Sequence, residues 1–226
     1  RLHFALRPAA DAAAVRVSPW HDIKLHADDA VYSFVCEMPK GTDAKVEIDT
    51  ADEANCNPLR QDTKNGALRY ITYGRSLFNY GALPQTWEDP SHDDDDTRLR
   101  GDNDPLDVVE LGDMPLPRGA VRRVKLLGAL ALIDEGETDW KLLAIECSHP
   151  LAPLLHDVRD IDVHLPGTVA AVRDWYRLYK TADGKPENEY SFGGEALDAA
   201  KARAVVERCH QMWRRAYGAA GDAAAA

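Results

Sequence analysis

Apolar and polar residues alternate with a period of two from about Val31 to Glu47, further short strand-like runs follow as far as Glu146, and a period of three to four appears only after Pro166. Strands first and helices afterwards is the order of an α+β domain. The strand-like runs are Val31–Glu37 and Lys45–Ile48, joined by a turn at Pro39–Thr42, then Ala67–Thr72, Leu106–Leu111, Val121–Ile133 and Trp140–Glu146. The first pair reads as half-buried strands. Several short strands with turn signals between them suggest a barrel or a sandwich. Val169, Val172, Trp175, Tyr176 and Tyr179 predict a helix with Thr168 as its N-cap. Leu197, Ala200, Ala204, Val205, Cys209, Met212 and Trp213 predict a second helix ending near Gly218.

The 226 residues suit one domain spanning 1–226, with about 1–17 and 218–226 as weakly ordered tails because they are alanine-rich and without periodicity. A formal net charge of -11 repels phosphate backbones, so no nucleic-acid partner is expected. No apolar run approaches the roughly 20 residues of a bilayer span, so no membrane partner is expected either. Cys36, Cys56, Cys147 and Cys209 lack the spacing of a zinc site or a disulfide framework and read as free thiols. The chain begins at Arg1, as a processed or trimmed product would, which leaves a lost targeting segment open.

The densest chemical feature is GDNDPLD at 101–107, which sets Asp102, Asp104 and Asp107 just before an apolar strand. In an extended segment Asp102 and Asp104 point the same way, and Pro105 stiffens the turn that would bring Asp107 round to them. Two like charges ~4 Å apart repel by roughly 4 kcal/mol at an effective dielectric of about 20. Three therefore call for cations or raised pKa values, unless the segment is a solvated acidic loop. An EF-hand register fails, since the position that requires Gly is Asp107 or Arg98.

The second feature is DEGETDWK at 134–141, where Gly136 makes a hairpin. Its closure would set Asp134 and Asp139 at the same end of neighbouring strands with Lys141 on the Asp139 side. Lys45 and Glu47 share a strand face, Arg69 follows Gly66, and Tyr179 and Lys180 close the first predicted helix. Carboxylates suited to Mg²⁺, combined with Lys, Arg and Tyr suited to oxyanions, describe a site for a metal-bound phosphate compound. Any one of these basic residues taken alone reads equally as a surface charge. The run Asp93–Asp96 reads as a flexible solvated loop. There is no phosphate-binding G-x-x-x-x-G-K-[ST] loop, no G-x-G-x-x-G turn and no G-x-S-x-G elbow.

In these blocks, and in QDTKNGALR at 61–69, NYGALPQTWEDP at 79–90 and YKTADGKPEN at 179–188, the chain closely resembles the family I soluble inorganic pyrophosphatases of the eukaryotic type, from about Glu37 to Trp213. The resemblance implies a twisted five-stranded OB-like β-barrel with flanking helices and an active site at its mouth. It also implies Mg²⁺-dependent hydrolysis of pyrophosphate to two phosphates, by direct attack of a metal-bridged hydroxide. Three or four Mg²⁺ ions are expected, with Mn²⁺, Zn²⁺ or Co²⁺ as substitutes and Ca²⁺ as an inhibitor.

Carried over by motif, Asp102, Asp107 and Asp139 would hold the first metal, with Asp107 bridging to the second. Asp134 and Asp139 would hold a metal that arrives with substrate, and Glu47 would reach another through water. Asp104 resembles the residue that orients and deprotonates the attacking water. Lys45, Arg69, Tyr80, Lys141, Tyr179 and Lys180 would bind the substrate.

The sequence departs from the family pattern between Arg69 and Asn79, which is several residues short, and Ser76 stands where a phosphate-contacting Tyr is usual. Tyr73 or Arg75 is a hypothetical replacement. A broader tripolyphosphate or polyphosphate hydrolase and a non-catalytic divalent-cation or phosphate-binding protein of the same fold are the alternatives. A homo-oligomer is expected from the family. The compartment implied is the cytoplasm, or alternatively the acidocalcisome or another acidic organelle, which the alanine-rich ends would suit.

Overall fold

A computed structural model describes residues 1–6 and 13–221 of the chain. Five strands form a closed ring: β1 (Val31–Met38), β2 (Asn79–Ala82), β3 (Asp107–Glu110), β4 (Val121–Asp134) and β5 (Glu137–Glu146). Around the ring the order is β1-β2-β3-β5-β4 and back to β1; every pairing is antiparallel except β3 with β5. Three helices flank it: α1 (Val158–His164), α2 (Thr168–Leu178) and α3 (Ala199–Gly221). The architecture is α+β with a five-stranded barrel, as expected.

Successive residues on the strands face opposite ways and build two cores. Trp140, Leu142 and Ala144 of β5 pack with Phe34, Val108 and the α3 residues Ala202, Val205 and Val206. Leu143 and Ile145 pack with Val109, Leu130, Leu132, Ile161 of α1 and Trp175 and Tyr176 of α2. Asp139 and Lys141 share the parity of Leu143, so they point to the α2 side of the barrel.

Several local expectations change in the structure. Strand β1 is buried along nearly its whole length rather than half-buried, because both of its faces are covered by core. The turn after it is present, with Thr42 N–H donating to Pro39 O, yet Val46–Ile48 pairs with Leu59–Gln61 and not back onto β1. Only Ala67–Leu68 of the run 67–72 is strand. Thr168 begins α2 and Gly167, at φ 81°, is the N-cap; Leu197 lies on a two-residue strand against β4.

Within the expected N-terminal tail, Phe4–Leu6 pairs with Val15–Val17, and Leu2 bridges to Leu59, so backbone hydrogen bonds hold these segments. Of the expected C-terminal tail, residues 222–226 lie outside the described residues.

Of the five ring strands and three helices, two had no strand or helix signal. α1 is seven residues long, too short for periodicity to show, and is started by a capping box between Asp157 and Asp160. β2 has the sequence NYGA, whose glycine argues against a strand. Gly81 is there because a Cβ would meet Val35 O of β1 at 1.9 Å. The ring closes only around that bare backbone.

Candidate active site

The hairpin β4–β5 does what its sequence suggested. Glu135 and Gly136 both take positive φ, 53° and 90°, as a two-residue turn of this kind requires. Asp134 faces Glu137, Leu132 faces Asp139, and both aspartates reach one cleft. The segment 101–107 differs from an extended strand. Asn103 adopts φ 75° and Asp104 N–H donates to Asp102 Oδ1 at 3.0 Å, so the chain turns on itself there. Asp107 opens β3 opposite Lys141 of β5.

The result is a cleft with about 770 Å³ of empty space. All twelve residues singled out from the sequence line it: Glu47, Asp102, Asp104, Asp107, Asp134, Asp139, Lys45, Arg69, Lys141, Lys180, Tyr80 and Tyr179. These amount to six carboxylates against four cations, a surplus of acid at the base of the site.

Contacts alternate in charge across the cleft. Lys141 Nζ donates to Asp107 Oδ2 and Asp139 Oδ1. Tyr80 OH donates to Asp107 Oδ1 at 2.7 Å, and Lys45 Nζ donates to Tyr80 OH at 3.2 Å and pairs with Glu47 at 2.8 Å. At the opposite wall Lys180 Nζ donates to Asp134 Oδ1, and Tyr179 OH donates to Asp134 Oδ2 at 3.1 Å. Arg69 Nη1 holds Asp62 Oδ2 at 2.9 Å.

Burial and crowding raise three of the acids. Burial, then the charges of Asp139, Asp104 and Asp107, push Asp102 well above the usual carboxylate range. Burial and the charge of Glu47, against the pull of Lys45, bring Asp104 to about 7. Burial outweighs Lys141 and brings Asp139 to about 6. Burial by itself would lower Lys45 and Lys141; neighbouring carboxylates, Glu47 for the first and Asp107 for the second, more than reverse it. Both amines therefore stay charged.

Three buried groups beside the cleft escaped the sequence reading. Tyr176 lines it with its ring 5.1 Å from Lys141 Nζ, and no partner among the described residues meets its hydroxyl. Its place in the helical periodicity of α2 made it look like core. Glu37 is 2 % exposed, accepts from Ile48 N–H at 2.8 Å, and is raised well above the carboxylate range by burial despite Lys45. Glu88, 3 % exposed, puts a carboxylate oxygen within 4.8 Å of oxygens of Asp102 and Asp139. An acid amid apolar neighbours was the available signal for Glu37; Glu88, between Trp87 and Asp89, offered none.

The structure bears on two further expectations. Tyr73 and Arg75 are exposed and stand outside the cleft lining, while Ser76 lines it with its hydroxyl spent on Phe78 O at 2.6 Å. The Asp93–Asp96 run is no free loop. Asp94 accepts from the backbone of Asp96 and Thr97 and from Trp140 Nε1, and both Asp94 and Asp96 pair with Arg208 of α3. Its charges answer partners far away in the chain, which composition alone does not reveal.

An all-oxygen donor set of converging carboxylates fits a hard divalent cation, and the lysines, arginine and tyrosines facing it fit oxyanions. Barrel and cleft together define a protein built to hold a divalent cation beside a phosphate compound.

The model of the family described as inorganic pyrophosphatase matches residues 34–214. An inorganic pyrophosphatase of Eremothecium gossypii is 49% identical over 203 residues, covering 87% of this chain and 70% of that one. One of Neurospora crassa is 47% identical, covering 89% and 71%. Among solved structures, the recombinant inorganic pyrophosphatase of T. brucei brucei superimposes with a TM-score of 0.92 at 37% identity, over 97% of this chain and 66% of that chain. An N-terminally truncated Trypanosoma cruzi vacuolar soluble pyrophosphatase in complex with PPi gives 0.91 at 39%, over 94% and 84%.

The chain belongs to the inorganic pyrophosphatase family. It is thereby an inorganic diphosphatase, an enzyme of a family that uses divalent metal. Among the described residues no helix is long and apolar enough to cross a membrane.

Proposed function

We propose that the protein hydrolyses inorganic pyrophosphate to two phosphates by direct attack of water, with Mg²⁺ as its metal and Asp104 as the group that takes the proton. One observation carries this reading: six carboxylates and six oxyanion-binding groups from distant segments meet on a single cleft. Bound divalent cations would supply neutralisation of the substrate's charge and acidification of the attacking water.

The remaining work falls to side chains. Asp102, Asp107 and Asp139 form the base that would hold metal, with Asp134 and Glu47 on either flank. Asp104 sits open to the cleft near neutrality, suited to orient a water and accept its proton as the new P–O bond forms. Lys45, Arg69, Lys141, Tyr80, Tyr179 and Lys180 would bind phosphate oxygens. When the bridging P–O bond breaks, its electron pair stays on the leaving phosphate, where positively charged and hydroxyl donors stabilise it. No covalent intermediate is needed.

A longer polyphosphate is the second reading. It draws on an adjoining cavity that shares Arg69 and Lys180 with the main cleft and adds Lys64 and Lys185, although Asp62, Asp183 and Glu135 line it too and pair with these cations. Phosphate release from pyrophosphate, tripolyphosphate and long polyphosphate, with Mg²⁺ and then Zn²⁺, separates the readings when wild type and Asp104→Ala are compared. A preference for longer chains would favour the second. No metal-dependent release from any of them would leave a binding protein.

We take the chain to work as one domain within a homo-oligomer in the cytoplasm. Its likeness to vacuolar soluble pyrophosphatases keeps an acidic organelle as the alternative.

A further inference from the structure

From the placement of Glu88 we infer that it is a positioning residue for the metal: its free carboxylate oxygen accepts a hydrogen bond from water on the cation seated at Asp102 and Asp139. The inference rests on the metal-dependent reading above and extends it to a residue outside the twelve. Glu88 is immobilised on three sides. Its N–H donates to Asp104 O at 2.9 Å, its carbonyl accepts from Asn103 N–H at 3.0 Å, and its Oε1 accepts from Trp140 N–H at 3.1 Å. Gly101 lets that backbone approach, since a Cβ there would meet Glu88 O at 2.3 Å.

Glu88 thereby braces the loop that carries Asp102 and Asp104 against the strand that carries Asp139. Its second oxygen, Oε2, is fully buried and has no hydrogen-bond partner among the described residues. One carboxylate oxygen from each of Glu88, Asp102 and Asp139 lies within 4.8 Å of the others. A buried, rigid and unpaired acceptor is costly in a folded protein unless a ligand completes it. Mg²⁺ keeps several of its waters, and each bound water presents donors of the kind Oε2 lacks. Holding such a water fixes the orientation of the ion's whole coordination shell.

The test compares wild type with Glu88→Gln in the full chain. Gln keeps an oxygen for Trp140 N–H and puts an amide in place of Oε2. Isothermal titration with Mg²⁺, and Mn²⁺ binding followed by electron paramagnetic resonance, should show the tightest site weakened about ten- to a hundredfold. The Mg²⁺ concentration for half-maximal activity should rise in parallel, with kcat at saturating Mg²⁺ restored to within a few fold. Tm in EDTA should stay near that of wild type while the Tm gain on adding Mg²⁺ shrinks.

Wild-type Mg²⁺ affinity in Glu88→Gln would overturn the inference, as would an equal loss of Tm with and without metal. Should the Gln variant not fold, Glu88→Asp, whose carboxylate stops one methylene short, must show the same loss of affinity. A wild type that releases no phosphate from pyrophosphate would defeat the functional reading. A wild type that does, beside a Gln variant of undiminished affinity, defeats this inference alone.

Discussion

Asp107 and Lys141 stand directly opposite each other on β3 and β5, the one parallel pair in the ring, and Lys141 Nζ donates to both Asp107 and Asp139. Lys141 is 3 % exposed, so a single buried amine holds two acids together. Removing one partner of a buried ion pair leaves charge without compensation. Lys141→Met should therefore cost roughly 3–5 kcal/mol in EDTA, and less in Mg²⁺, which can take over the neutralising role. Chemical denaturation with and without metal checks this; equal losses in both conditions would contradict it.

Asp104 has its carboxyl on the cleft, while its backbone N–H donates to Asp102 Oδ1 and its carbonyl accepts from Glu88 N–H. Asp104→Asn preserves shape and cannot accept a proton. Its kcat for pyrophosphate should fall about 10²- to 10⁴-fold with Mg²⁺ binding largely retained. Steady-state kinetics beside a metal titration measure both.

The same residue sets a pH dependence of stability. Its folded pKa of about 7 lies above the unfolded 3.8, and Asp139 follows at about 6. Between those values the metal-free folded state holds more protons than the unfolded one, so stability falls as pH rises through the window. Asn at 104 does not titrate. The Tm of Asp104→Asn relative to wild type, in EDTA, should climb from pH 4 to pH 7.5, and Mg²⁺ should flatten the climb. A difference independent of pH in EDTA would refute the assignment.

Gly81→Ala tests the closure of the barrel. A Cβ 1.9 Å from Val35 O cannot be accommodated without parting β1 from β2. The loss should reach at least the ~3 kcal/mol at the top of the range for overpacking. Urea denaturation, or simply the yield of folded protein, decides it.

Arg75 is exposed and outside the cleft, whereas Arg69 lines it. Arg75→Ala should leave KM and kcat within about twofold, in line with surface substitutions generally. Arg69→Ala should raise KM roughly tenfold or more, the worth of a charged hydrogen bond of 1.5–3 kcal/mol. A large effect at Arg75 would mean that its loop closes over substrate.

Much of the site was legible because its chemistry is local. The turn at Glu135 and Gly136 needs positive φ twice, and the alternation of β5 sends Asp139 and Lys141 to one face. The acid-rich segment 101–107 announced itself by composition, although it bends through Asn103 where an extended strand was expected. β2 was invisible because its glycine, unfavourable in a strand by propensity, is selected by the backbone of another strand. Glu88 was unremarked because its meaning depends on Trp140, 52 residues away, and on the fold of the loop beside it.

From the sequence alone came the inventory of charged and phenolic groups, the side of each strand they occupy, and the turns that end the strands, since all of these depend on neighbours within a few residues. Which acids converge on one cleft, which amine sits between them, and which buried oxygen lacks a partner among the described residues were decided only when the ring closed. The register between strands far apart in the chain is set by packing both faces of the sheet at once, and no short stretch of residues contains that information.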